Sequence, residues 1–230
     1  MSAPEEVPEV VSSTEALRDI YALRFGGRSH QREVLWRTLV DAYFQRFIEP
    51  DHTVLDLAAG YCEFINAVRC GTKVAVDLNP TVVEVAGPDV RVIRAASTDL
   101  PADLAGTVDV VWVSNFFEHL DSSAELLATL RQLHRVLRPG GRLLVLQPNI
   151  RLTGPRYWDF LDHSLPLTER SLVEALGVAG FLIERTKVRF LPYTTESRLP
   201  ISPMLIRLYL RLPPAQLLLG KQTFVVARRP

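Results

Sequence analysis

Short apolar runs that alternate with helical patterns constrain the fold of this chain more than any other feature of its sequence. Five runs are short and almost continuously apolar, and we predict them as buried strands at residues 53–57, 73–76, 90–95, 108–114 and 142–146. Helical segments lie between them, most clearly at residues 122–137, where Pro139-Gly140-Gly141 ends the pattern. Buried strands that alternate with helices predict an α/β fold, with a parallel sheet covered on both faces.

The remaining segments extend this sheet or flank it. Residues 181–191 and 223–227 are predicted as two final strands that pair antiparallel at one edge. The acidic, Pro-rich residues 1–11 predict a disordered tail, and residues 12–49 predict two helices. Residues 148–170 and 192–220 have no role in the sheet, and we predict them as lid insertions that bind substrate.

Charge and cysteine content exclude several classes of protein. The 230 residues contain 26 Lys and Arg against 26 Asp and Glu, so the chain lacks the basic footprint of a nucleic-acid-binding protein. Two cysteines do not indicate a disulfide scaffold, and we expect a cytoplasmic protein. From residue 186 onward the sequence has eight basic residues and one acidic residue, Glu196. This local excess of basic residues leaves three interpretations open, namely a solvated face, an acidic substrate or a membrane surface.

The most apolar stretch, residues 204–219, is interrupted by Arg207, Arg211 and Pro213-Pro214. These interruptions make it a poor membrane-spanning helix, and we expect no integral membrane segment. The stretch is nevertheless too apolar for a free loop, so we predict a lid or a dimer contact.

Ligands of an open α/β sheet bind beyond the carboxyl ends of the strands. At the first of these ends, the loop 56–62 contains only Gly60, and no phosphate-binding loop occurs in the chain, so a dinucleotide oxidoreductase is disfavoured. The small residues Ala58 and Ala59 still permit close approach of a ligand. Asp77 closes the second strand, 21 positions after Asp56, where a carboxylate can accept hydrogen bonds from both hydroxyls of a ribose. Together these features favour a nucleoside site.

Five motifs in order resemble the class I S-adenosylmethionine-dependent methyltransferases over roughly residues 50–190. They are Asp56-Leu57-Ala58-Ala59-Gly60, Val76-Asp77-Leu78-Asn79, Asp109-Val110-Val111, Phe117-Glu118-His119-Leu120 and Leu137-Arg138-Pro139-Gly140-Gly141. The resemblance implies one domain over residues 1–230, S-adenosylmethionine as cofactor, and a Rossmann-like fold. That fold has a seven-stranded, mostly parallel sheet whose last strand is antiparallel.

The resemblance also implies roles for individual residues. Asp77 is expected to hold the ribose, and Leu78 to pack on the adenine. Gly60, with its neighbours Asp56 and Ala58, is expected to line the methionine part of the cofactor. Ala58 and Cys62 stand where this family often has glycine.

Three further positions complete the expected cofactor site. Asn115 and Phe116 are expected to lie under the sulfonium and adenosyl groups. Ala96 occupies the place of an Asp that often contacts the adenine amino group, so Ser97 or Asp99 is expected to make that contact.

Candidate residues for the acceptor side follow the fourth and fifth strands. His119 is the first candidate base, and Asp162 with His163 is the second. The aromatic side chains of Tyr157 and Trp158 are expected to form a wall that binds a sugar or a ring. A packing role remains the alternative for each of these residues. We assign no metal site, although His119 and His163 with Asp121 are the set that could be argued.

These observations predict methyl transfer to a small polar metabolite, with O-methylation of a sugar or secondary metabolite as the leading hypothesis. N-methylation of a small amine and a non-catalytic scaffold are the alternatives. The run Ser114-Asn115-Phe116-Phe117 lacks the prolines that are typical of enzymes methylating nucleic-acid bases. We therefore expect a small-molecule substrate and no nucleic acid, and the dimer contact named above would make a homodimer.

Overall fold

The computed structural model describes residues 29–193 and 202–230, and the expected tail at 1–11 and helix within 12–28 lie outside them. Seven strands form one sheet in the order β3-β2-β1-β4-β5-β7-β6. Strand β7 is antiparallel to both of its neighbours, and all the other paired strands are parallel. This topology confirms the predicted α/β fold with an antiparallel last strand. The strands are β1 Thr53–Leu57, β2 Thr72–Val76, β3 Val90–Ile93, β4 Val108–Ser114, β5 Leu137–Pro148, β6 Leu182–Leu191 and β7 Gln222–Arg228.

Helices connect the strands and cover the sheet. The α-helices are α1 Ser29–Ala42, α2 Glu63–Ala67, α3 Val82–Val85, α4 Ser123–Val136, α5 Ile150–Thr153, α6 Glu169–Val178, α7 Pro203–Arg211 and α8 Pro213–Leu219. Short 3-10 helices span Phe44–Phe47, Ala102–Leu104, Phe117–His119 and Gly154–Asp159. None of the helices in the described residues combines the length and apolar content needed to cross a membrane.

Two apolar cores pack against opposite faces of the sheet. One contains Leu130 of α4 and Leu172 of α6, together with alternate strand residues such as Leu55. The other contains Val40 of α1 and Phe64 of α2, together with the intervening strand residues. Because side chains alternate between the faces of a strand, each buried strand contributes to both cores. This explains the continuous apolar runs in the sequence.

Several predicted boundaries differ from the structure. Strand β5 begins at Leu137 rather than at Arg142, because Leu137 already pairs with Val108 of β4 and the residues before Arg142 form an irregularity in that pairing. Residues 148–170 contain α5, a 3-10 helix and the start of α6 rather than one loop. The described part of 192–220 forms α7 and α8, which are short helices separated at Leu212.

Candidate active site

The loop between β1 and α2 has the backbone of a glycine-rich turn without its glycines. Ala58, Gly60 and Cys62 have φ angles of 55°, 52° and 59°, which lie in the left-handed region that favours glycine. The alternating positions that the resemblance singled out therefore all need this conformation, although two of them carry side chains. The Cys62 side chain is fully buried, and burial raises the pKa of its thiol. Cys62 therefore packs beneath the loop.

Asp77 lies at the carboxyl end of β2 and faces this loop. Its Oδ2 accepts a hydrogen bond from the Gly60 amide at 2.7 Å, and its Oδ1 accepts one from the Asn79 amide at 2.7 Å. Burial raises the pKa of Asp77, and hydrogen bonds from the amides of Asn79, Gly60 and Leu78 act against that shift. A carboxylate offers about four lone-pair sites, so each oxygen keeps acceptor capacity for a hydroxyl. The side chain of Leu78 is 50% exposed beside it.

Asp56 has a different environment from Asp77. It is 4% exposed, and it accepts a hydrogen bond from the backbone amide of Ile65. Burial, followed by the charges of Glu63 and Asp77, raises the pKa of Asp56 well above its ordinary value. Asp56 is therefore buried beneath the loop, where it is hydrogen-bonded to the helix that follows the loop.

The other residues expected at the cofactor lie around the ends of β3 and β4. Asn115 has a φ of 48°, and its amide donates to the carbonyl of Leu146 on β5. Phe116 is partly buried and packs against the core that contains α4. The hydroxyl of Ser97 lies 2.7 Å from that of Thr129 on α4, so this hydroxyl is already engaged by the helix.

A buried polar cluster follows β4 and β5. The Nδ1 atom of His119 lies 3.2 Å from Asp162 Oδ2 and 3.1 Å from the Asp162 carbonyl oxygen. The His119 and His163 rings meet edge to face with centroids 5.0 Å apart. Glu118 is 1% exposed and accepts a hydrogen bond from Gln147 Nε2 at 2.7 Å. The structure therefore brings all three predicted catalytic residues together and adds Glu118 and Gln147, which we did not select from the sequence.

Two backbone hydrogen bonds attach the segment after α5 to this cluster. The amides of Ser164 and Leu165 donate to the carbonyl of Glu118 at 2.8 and 3.1 Å. This contact explains why Asp162 and His163 approach His119 although more than forty positions separate them in the sequence. Sequence reasoning grouped Asp162 and His163 as the second candidate without requiring that they contact each other, and the structure pairs Asp162 with His119.

The two aromatic residues proposed as a wall have unequal exposure. Tyr157 is fully buried, and its hydroxyl donates to the carbonyl of Leu165. Trp158 is 55% exposed. Phe160 stacks on His163 with centroids 4.9 Å apart, and Tyr193 packs against Phe160. The burial of Tyr157 gives it a supporting place within the segment, and Trp158 is the member of the pair that faces outward.

Burial and nearby charges act in opposite directions on the pKa values of this cluster. Burial raises the pKa of Glu118, and the nearby His119 acts against this shift. Burial alone lowers the pKa of His119, but the hydrogen bond to Asp162 and the charges of Glu118 and Asp162 outweigh it. The net direction for His119 is upward, so the imidazole carries more basicity than an isolated one.

The sheet order, the reversed β7 and the polar strand ends define a Rossmann-like methyltransferase fold. Residues 55–145 match the model of a methyltransferase domain family. A demethylmenaquinone methyltransferase from Mycolicibacterium gilvum is 31% identical over 167 residues, which is 69% of each chain. A second one, from Mycolicibacterium vanbaalenii, is 30% identical over 72% of each chain.

Solved structures agree with this assignment. A methyltransferase in complex with the Trm112 methyltransferase activator from Haloferax volcanii superimposes with a TM-score of 0.67 at 18% identity, covering 92% of this chain and 97% of that one. An S-adenosylmethionine-dependent methyltransferase from Archaeoglobus fulgidus gives a TM-score of 0.63 at 18% identity, covering 92% and 99%. The chain belongs to the class I S-adenosylmethionine-dependent methyltransferases, and its cofactor is S-adenosylmethionine.

Proposed function

We propose that this methyltransferase methylates a hydroxyl oxygen of a small polar molecule, with a sugar or a secondary metabolite as the leading candidate. The observation that carries the proposal is the buried cluster of Glu118, His119, Asp162 and His163 beside the cofactor-facing residues of β4. A hydroxyl must lose its proton during methylation, and such a cluster is suited to removing it. An amine acceptor needs alignment more than it needs a base.

The residues at the strand ends fit the cofactor. The left-handed turn around Gly60 brings backbone amides to the carboxyl edge, and the Asp77 carboxylate is fixed beside it by the Gly60 amide of that turn and by the Asn79 amide. We assign the ribose hydroxyls to Asp77, the adenine to the exposed side chain of Leu78, and the methionine part to the loop. S-adenosylmethionine, when bound, supplies a methyl group already activated by a sulfonium.

His119 and Asp162 supply the acid–base part of the proposal. Asp162 accepts from His119 at Nδ1 with both its carboxylate and its backbone carbonyl, which orients the ring and leaves the lone pair on Nε2. His119 is thereby prepared to draw the proton from an acceptor hydroxyl. Trp158, Phe160 and Tyr193 form the aromatic side of the same region, and we assign the acceptor to it.

A second candidate is a less polar acceptor. The two relatives at about 30% identity are demethylmenaquinone methyltransferases, and helices α7 and α8 of this chain expose apolar side chains, among them Met204, Leu217 and Leu218. An acceptor with an apolar tail is compatible with that surface.

The test combines binding and product analysis. Titration calorimetry with S-adenosylhomocysteine is expected to show binding, and its absence would favour the scaffold alternative. S-adenosylmethionine with a labelled methyl group is then offered with matched sets of sugars, phenols and primary amines. Label in an ether product is expected, whereas label found only in amines would replace the proposal by N-methylation. Label that appears only with quinol-like acceptors would favour the second candidate.

A further inference from the structure

Three side chains of the polar cluster, of which Glu118 and His163 are buried and His119 is half-buried, have the composition of a metal site. One ligand-type atom from each of Glu118, His119 and His163 lies within 4.8 Å of those from the other two. We propose that these residues bind one divalent transition-metal cation, such as Zn²⁺, Mn²⁺ or Fe²⁺. Two imidazole nitrogens and one carboxylate oxygen suit these ions, and three protein ligands leave positions open for an acceptor. The sequence-based expectation of no metal is thereby replaced.

Both imidazoles are held in the orientation that metal-bound histidines adopt. His119 Nδ1 faces the carboxylate and the carbonyl of Asp162, and His163 Nδ1 lies 2.8 Å from the carbonyl of Tyr157. Oxygen acceptors at Nδ1 place the ring hydrogen there and the lone pair on Nε2. Metal-ligating histidines almost always donate their other ring N–H to a carboxylate or a backbone carbonyl in this way. Both rings therefore carry their hydrogen on Nδ1, because in each case an oxygen acceptor faces that atom.

The carboxylate of Glu118 supplies an independent observation. It is 1% exposed, and among the described residues no Lys or Arg forms an ion pair with it. Its neighbour Gln147 uses Nε2 to hold it, while Gln147 Oε1 is buried and has no hydrogen-bond partner within the described part of the chain. A buried carboxylate beside an orphaned carbonyl indicates a missing cationic or hydrogen-bonding partner, because both are costly to leave uncompensated. A divalent cation would compensate the charge.

The distances require only small adjustments. Nitrogen and oxygen ligands about 2.1 Å from a tetrahedral ion lie roughly 3.4 Å from one another. The three atoms must therefore approach by at most about 1.4 Å from the upper bound of 4.8 Å. Side-chain rotation supplies movements of this size. The backbone bonds from Ser164 and Leu165 to Glu118 already keep the two segments together.

The role of the ion rests on the proposed function, whereas the ion site does not. A divalent cation binds a hydroxyl oxygen and lowers its pKa, so the acceptor loses its proton to solvent water while the oxygen is held in place. The oxygen–carbon bond then forms as the sulfur–carbon bond breaks. In the metal-bound protein the Nε2 lone pair of His119 is used for ligation, so the ion replaces the imidazole base in activating the hydroxyl, and Asp162 is a positioning residue.

Direct metal binding tests the site without any acceptor. Protein without a histidine tag is treated with a chelator, dialysed, and titrated with Co²⁺, whose visible spectrum reports nitrogen and oxygen ligation. One equivalent is expected to bind. Glu118→Gln keeps the shape of the side chain and is expected to weaken binding more than tenfold, and Asp162→Asn by about 10–100-fold. Asp121, the carboxylate that the sequence suggested beside these histidines, is exposed and lies outside the group that the structure brings together, so the control Asp121→Asn is expected to leave affinity unchanged.

Two outcomes would overturn the proposal. One is that the wild-type protein binds no stoichiometric Co²⁺ or Zn²⁺ while it still binds S-adenosylhomocysteine, which shows that it is folded. The other is that the Glu118→Gln and Asp121→Asn variants bind the ion equally. Either result would make the cluster a network of hydrogen bonds. Because methyl transfer to a hydroxyl is measured separately, failure of the ion site and failure of the proposed function remain distinguishable.

Discussion

Replacing Ala58 by glycine should stabilise the protein, because the backbone at this position already has the conformation of a glycine. A non-glycine residue in the left-handed region costs about 1–2 kcal/mol, and Ala58 has a φ of 55°. Glycine loses more freedom on folding, which offsets about 0.4–1 kcal/mol. We expect Ala58→Gly to raise the free energy of unfolding by about 0.5–1 kcal/mol. For a chain of this length, that corresponds to an increase in Tm of about 1–4 °C.

A reverse substitution calibrates the effect. Gly106 has a φ of 67°, and a Cβ there would meet nothing within 4 Å, so Gly106→Ala measures the backbone term without a steric clash. It should destabilise the protein by about the amount that Ala58→Gly stabilises it. Cys62→Gly should gain less than Ala58→Gly, because it also removes a fully buried side chain. Urea unfolding of the three variants is the assay. Loss of stability in Ala58→Gly, with the expected loss in Gly106→Ala, would refute the reasoning.

Three further predictions concern the cofactor site and the surface. Asp77→Asn should weaken S-adenosylhomocysteine binding by about 1.5–3 kcal/mol, the range for a hydrogen bond to a charged group, whereas Asp103→Asn, which removes an exposed carboxylate paired with Arg91, should not; calorimetry on both variants decides. The raised pKa of Asp56 means that the folded state binds its proton more tightly, so this residue costs stability as pH rises above about 4. Asp56→Asn should therefore gain stability relative to wild type between pH 4 and 7.5 in urea unfolding, and an unchanged difference would contradict the assignment. If α7 and α8 form a dimer contact, replacing the exposed Leu208 and Leu217 together by Glu should reduce the mass measured by light scattering, and an unchanged mass would exclude that surface.

The arrangement of the sheet could be predicted because burial on both faces leaves a pattern that the sequence records directly. Five of the predicted strands and their order relative to helices follow from runs such as Val108–Ser114. The boundary was less accurate at β5, where a Pro-Gly-Gly turn predicts the start of a new strand although Leu137, before the turn, already pairs with β4. The local sequence specifies the turn. Hydrogen bonding to β4 and β7 decides where strand β5 begins and ends.

The cofactor loop shows how a motif can persist in backbone conformation after its residues change. A search for alternating glycines finds only Gly60, which suggests a weakened site. The φ angles of Ala58 and Cys62 show that the turn itself is retained. Sequence alone could not reveal this, because the conformation is imposed by the strand before the turn and the helix after it rather than by local propensity.

The polar cluster was predicted only in part, because its geometry depends on sheet order. Glu118 follows β4 and Gln147 lies near the end of the adjacent strand β5, but 29 positions separate them in the chain. His163 is brought close to them by the hydrogen bonds that the amides of Ser164 and Leu165 donate to Glu118. No periodic pattern in the sequence predicts these bonds. Tyr157 was expected on the surface of this region, and its aromatic ring is instead buried beneath it.

The boundary of the family match separates the two halves of the site. Residues 55–145 include the cofactor loop, Asp77 and the His119 turn, so the match accounts for cofactor binding. Gln147, Asp162 and His163 lie beyond that boundary, in the segment that completes the buried cluster. Membership of the family therefore establishes methyl transfer but leaves the acceptor undetermined. We propose that the chemistry of the acceptor depends on Asp162 and His163 after β5 together with Glu118, and substitutions at Glu118 and His163 test this most directly.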